Sequence, residues 1–91
     1  MAEDLIIEAN RLWKEGDSEE ALKLLNHESL LEHPQANFLS GKIYYNNQKW
    51  GLALNSFRRC LKLDPDNTAA QTYVDLILNI LGFFHADQFN P

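Results

Sequence analysis

One cysteine, Cys60, in a chain of 91 residues excludes an internal disulfide and leaves no thiolate set for a structural zinc. It reads as a small buried apolar side chain in a reducing setting. Basic residues are also scarce. Eight Lys and Arg stand against thirteen Asp and Glu, for a formal net charge of −5, and no basic block exists that could neutralise a run of phosphates. Nucleic acid is therefore excluded as a partner. No stretch reaches the ~18 consecutive apolar residues of a membrane span, so no membrane association is expected. The N-terminus MAEDLIIEANRLWKE opens on acids where a signal peptide needs a basic start, which makes a cytoplasmic location the expectation.

Groupings that would carry catalysis are missing as well. His27, His33 and His85 are the only histidines, and none stands four residues from another His or from a Cys; they read as surface residues. Asp17, Glu19 and Glu20 sit together, but at a helix start, where capping and the helix dipole account for them. Ser18, Ser29, Ser40 and Ser56 have no adjacent His with an orienting acid, and no Gly-rich elbow or phosphate-cradling loop occurs. An enzyme is not expected, nor any catalytic, metal or cofactor site.

What is present is helical periodicity. A 45% hydrophobic share is that of a folding chain, and at this length one small domain buries roughly 60–65% of its unfolded surface. Leu5, Ile6, Ala9, Leu12 and Trp13 recur at helical spacing in residues 3–15. Gly16 ends that helix, and Asp17 with Glu20 opens a second, which carries Ala21, Leu22, Leu24 and Leu25. Its continuation NHESLLEH predicts a break, because Asn26, His27 and Ser29 weaken helix while Leu30 and Leu31 still require burial. Pro34 suits the first turn of a third helix, with Ala36, Leu39, Ser40, Ile43 and Tyr44 on one stripe and Phe38, Lys42 and Tyr45 on another. A polar turn, Asn46 to Lys49, leads to a fourth helix with Trp50, Ala53, Leu54, Phe57, Cys60 and Leu61 inside and Arg58, Arg59 and Lys62 outside. LDPDN at 63–67 is a stop and restart, with Asp66, Asn67 or Thr68 as the cap. The fifth helix begins near Thr68 and is apolar over so much of its circumference that packing on two sides is expected, with Gly82 and HADQFNP ending it.

Sliding the chain on itself by 32 residues places Ala9 on Gly41, Leu12 on Tyr44, Trp13 on Tyr45, Ala21 on Ala53, Leu22 on Leu54 and Leu25 on Phe57. Two helical hairpins share one plan. The small residues let paired helices approach, Tyr44 and Phe57 fill the space between hairpins, and a lone hairpin cannot bury both faces, so stacking is required. On these residues the stretch Pro34–Asn67 resembles a tetratricopeptide repeat, a 34-residue unit. Gly41, Tyr44, Ala53, Phe57, Cys60 and Pro65 occupy the family's Gly, Tyr, Ala, aromatic, Ala and Pro positions, while Asn37 replaces the usual Trp and Ser40 the usual Leu. The resemblance extends over about nine-tenths of the chain and is specific in the middle third. It implies an all-α domain of five helices over 1–91, a right-handed stack of antiparallel helix hairpins. Residues 2–33 would be a degenerate repeat, 34–67 a full one, 68–84 a capping helix and 85–91 a tail whose Phe89 could fold back. Asp75, where a third small residue would recur, fits a terminal lid with no hairpin partner.

In this family the first helices of successive repeats line a concave groove that receives a peptide. Carried over, the resemblance implies a partner-binding groove of Ile6, Asn10, Trp13 and Lys14, then Gln35, Phe38, Lys42, Tyr45 and Asn46, then Thr72, Leu76 and Asn79. The alternative for Trp13, Phe38 and Tyr45 is packing on the fifth helix or the tail. Of the carboxylate clamp by which some relatives hold chaperone tails, only Asn10 survives; Ile6, Leu39, Ala69 and Tyr73 stand at the other positions, so contacts should be mainly apolar, with Lys42 left to pair with one acid. The implied function is non-catalytic binding of a protein or peptide. The alternative is a structural module that dimerises through Leu76, Phe83, Phe84 and Phe89; the expected state is a monomer or a weak homodimer.

Overall fold

The computed structural model describes residues 2–84, and these form five α-helices and one turn of 3-10 helix, with no strand among them. The helices are α1 (Ala2–Lys14), α2 (Ser18–Leu25), α3 (Pro34–Asn46), α4 (Trp50–Leu63) and α5 (Thr68–Phe84), with the 3-10 turn at Glu28–Leu30 between α2 and α3. Each boundary has a local cause. Asp17 Oδ1 accepts from the Glu20 backbone N–H at 3.3 Å to open α2, and Asn67 Oδ1 accepts from Ala70 N–H at 3.0 Å to open α5. Pro34 sits in the first turn of α3, where its missing N–H costs nothing.

The two hairpin turns are copies. Gly16 and Gln48, 32 residues apart, both adopt the left-handed conformation, with φ of 90° and 61°. In each, the next residue donates back five positions, Asp17 to Leu12 O and Lys49 to Tyr44 O, both at 2.9 Å. The terminal carbonyls of α1 and α3 are thereby satisfied before the chain reverses.

α1 packs on α2, α3 on α4, and the pairs meet through α2 and α3 with a smaller α1–α3 contact, while α4 carries α5. Two apolar clusters result. The first gathers Ala9, Ala21, Leu25, Leu30, Ala36, Leu39 and Ile43; the second, Ala53, Leu54, Phe57, Cys60, Ala70, Val74 and Ile77. α3 belongs to both, lending Phe38, Tyr44 and Tyr45 to the second. The radius of gyration of 14.0 Å exceeds the ~12 Å of a spherical domain of this length, as a linear stack requires.

The small residues of the hairpin plan lie at its closest contacts. Ala9, Ala21 and Ala53 are fully buried, and a Cβ on Gly41 would stand 2.7 Å from the Phe57 ring. Phe57 fills that space from α4 and stacks on Tyr73 of α5, centroids 4.6 Å apart and planes within 4°. Cys60 is fully buried beneath α5. Burial pushes its thiol pKa up, opposed by a hydrogen bond from Asn67 Nδ2 at 3.5 Å.

Three sequence expectations are corrected. The second helix breaks after Leu25 as expected, but of the two leucines expected to be buried beyond it only Leu30 is; Leu31 remains exposed. Packing of α5 on two sides does not occur among the described residues: Ala70, Val74 and Ile77 face α4, while Leu76 and Leu78 are exposed. α5 spans Thr68–Phe84, the expected extent, and passes through Gly82, since one glycine costs a helix only about 1 kcal/mol. His33 is not a surface residue; it is half-buried, and its Nδ1 is buried without a hydrogen-bond partner. Phe89 lies outside the described residues.

Candidate functional site

α1, α3 and α5 are the first helices of their units, and their side chains meet in one row. Lys42 Nζ lies 5.7 Å from the Trp13 ring centroid and 5.3 Å from that of Phe38, so one ammonium bridges α1 and α3 over two π-faces. Phe38 meets Tyr73 edge to face at 6.0 Å, and Tyr45 meets Tyr73 at 5.1 Å and Trp50 at 5.2 Å. The row thus runs Trp13, Lys42, Phe38, Tyr73, Tyr45, Trp50. All six are half-buried, each with one side in the protein and some surface open.

Of the residues expected in the groove, the structure brings together Trp13, Phe38, Lys42 and Tyr45. Phe38 and Tyr45 also serve the fold, since they pack against the second core, and Phe38 contacts Phe57 as well at 5.6 Å. Ile6 packs on the first core and, with Gln35, lines a cleft of about 690 Å³ between the starts of α1 and α3 that also includes Glu3, Ile7, His33 and Asp64. Asn10 is half-buried; Lys14, Asn46, Thr72, Leu76 and Asn79 are exposed. Thr72 turns its hydroxyl to the Thr68 carbonyl at 3.0 Å, as helix threonines often do. Leu76, Thr72 and Asn79 share α5 with Tyr73 but take no part in the ring contacts.

Tyr73, noted in the sequence only as a replaced clamp position, joins the row through its contacts with Phe38 and Tyr45. It stands one repeat after Leu39, a buried position, and the larger ring reaches beyond the interface to join Phe38 and Tyr45. The size difference at an aligned core position was the available sign. Trp50, assigned to the buried stripe of the fourth helix, lies only half-buried against Tyr45.

Among the described residues no three of His, Cys, Asp and Glu gather where they could hold a metal ion, and none of the helices is long and apolar enough to cross a membrane. The row is an apolar and aromatic strip with one cation and an amide-rich margin. Such a surface binds by burying area and by cation–π or hydrogen-bond contact.

The family comparison falls on the central hairpin. The model of the tetratricopeptide repeat matches residues 34–67, which span α3, α4 and the LDPDN connection. That segment is similar to a tetratricopeptide repeat, and the match spans α3 and α4 of the helical stack. No curated protein and no solved structure matches the chain significantly. Repeats of this family suggest protein–protein interaction and are generally non-catalytic.

Proposed function

We propose that the chain is a non-catalytic protein-interaction module, cytoplasmic in setting, which binds a peptide or protein segment along the face of α1, α3 and α5. The observation that supports this reading best is the continuous row of half-open rings from Trp13 to Tyr45, bridged by Lys42. A partner lying across it would bury the outer sides of these rings. Asn10, Asn46, Thr72 and Asn79 would offer hydrogen bonds at the margin, and Lys42 would meet an acidic group. Ile6 and Leu76 would extend the apolar contact at the two ends.

The discriminating variants are those that leave the ring packing intact. Replacing Phe38 and Tyr45 by alanine removes contacts to Phe57 and Tyr73 and would confuse folding with binding. Leu76→Asp changes only exposed surface, and Lys42→Glu keeps every ring-to-ring contact while removing the cation over Trp13 and Phe38. A partner captured by the wild-type chain and identified should bind these two variants at least tenfold more weakly in a direct titration, while Arg58→Glu on exposed α4 leaves binding unchanged. Equal affinity for all four proteins would refute the groove.

A second reading has one observation in its favour. Leu76 and Leu78, 43% and 44% exposed, stand on the two flanks of α5 beside buried Ile77, and self-association through that helix would cover apolar surface there. Sedimentation at high micromolar concentration separates the two, because a monomer there removes this alternative.

A further inference from the structure

A second recess lies away from the ring row and shares no residue with it. α4 runs fourteen residues and α2 only eight. The positions corresponding to the last turns of α4 are occupied in the first unit by a reversal and the 3-10 turn. The resulting notch of about 590 Å³ is lined by Glu28, Leu31 and Glu32 on one wall and by Arg59, Lys62 and Leu63 on the other. Leu31 and Leu63 are 42% and 37% exposed, and they are equivalent residues of the two units, 32 apart.

The first wall is held in place. Asn37, buried on α3, donates from Nδ2 to the carbonyls of Leu31 and His33, both at 3.0 Å. His27 Nδ1 accepts from Ser29 N–H at 3.2 Å and caps the 3-10 turn. Asn37 is one of the two departures from the family pattern, and in this fold its task is to fix the turn that makes the notch. The second wall is the last turn of an intact helix.

The charges divide by wall. Both acids are on the turn and both bases on α4, and none of the four forms an ion pair among the described residues. An apolar floor between an acidic rim and a basic rim fits an occupant with an apolar ridge, a basic edge and an acidic edge. We infer that the notch docks an amphipathic helical segment of a partner protein, with one or two large apolar side chains between Leu31 and Leu63, basic residues toward Glu28 and Glu32, and acidic residues toward Arg59 and Lys62. A second copy of the chain fits less well. Concave surface would meet concave surface, and two half-exposed leucines fall far short of the ~800 Å² per partner that a standard interface buries.

The test uses three synthetic helical peptides with leucines at i and i+4 and the same length. One carries Lys on one edge and Glu on the other, one carries Lys on both edges, and one Glu on both. Against the wild-type chain the mixed-edge peptide is expected to bind at least about tenfold more tightly than either single-sign peptide, with NMR shifts on the methyls of Leu31 and Leu63. The all-Lys control is decisive, because the net charge of −5 favours it over the mixed peptide wherever binding is merely electrostatic. Glu28→Lys with Glu32→Lys should transfer the preference to the all-Glu peptide, and Leu63→Asp should abolish binding; these positions are exposed, and circular dichroism checks that helicity is kept. Equal or absent binding of the three peptides overturns the inference. So do shifts confined to Trp13, Phe38 and Tyr73, or self-association lost on Leu63→Asp without peptide discrimination. Loss of partner binding at the ring row would leave these outcomes unchanged, so the two sites fail separately.

Discussion

At Gly41 the backbone of α3 passes so close to Phe57 that no side chain fits, and the ring cannot retreat because Tyr73 stacks on its other side. Gly41→Ala should therefore cost about 1–3 kcal/mol through overpacking, despite alanine's better helix propensity. Chemical denaturation checks this, and Phe57→Leu in the same chain should recover part of the loss. The opposite sign is expected at Gln48, the non-glycine residue in the left-handed region. A Cβ there costs about 1–2 kcal/mol, against about 0.5–1 kcal/mol for glycine's extra chain entropy. Gln48→Gly should raise stability by about 0.5–1 kcal/mol, and an unchanged denaturation midpoint would count against the shared turn geometry. Cys60 is expected to be silent toward thiol reagents in the folded state, since burial both shields it and raises its pKa; reaction as fast as in denaturant would contradict the cap of α5 over it.

For single elements, α5 matters most. It covers Ala53, Phe57 and Cys60 with Ala70, Val74 and Ile77, and the second core does not exist without it. Ile77→Ala should cost about 2–5 kcal/mol, read as a lowered denaturation midpoint. Removal of residues 68–91 should abolish cooperative unfolding, and a truncated chain that still melted sharply would show α4 to be self-sufficient. α2 makes the contrasting case. Its early end was legible in NHESLLEH, where three weak helix formers follow the leucines, but the 3-10 turn and its tether to Asn37 were not. That residue attracted notice only as a departure from a repeat pattern, because a hydrogen bond across six residues has no periodicity to betray it.

At the level of the whole molecule, the described residues form five helices in a line, and among them α3 alone packs into both cores. The ring row on one set of helices and the charged notch beside α4 are separate surfaces, so the chain has room for two contacts at once. Lys42→Glu should weaken binding at the first without changing Leu31 and Leu63 shifts at the second, a separation that NMR can read directly.

The sequence by itself determined the helices, their caps, the 32- and 34-residue offsets and the small residues at the closest approaches. All of these follow from periodicity, capping chemistry and volume, which act over a few residues or repeat at fixed spacing. It also placed Trp13, Phe38, Lys42 and Tyr45 on the faces where they occur. Only the tertiary structure decided that Phe38 and Tyr45 share their rings with Tyr73, that Leu76 and Leu78 of α5 are exposed, and that Leu31 opens onto a notch while Leu30 is buried. The reason is the same in each case. Which side of a half-apolar residue is covered depends on what another element, distant in the chain, brings against it, and no local pattern encodes that.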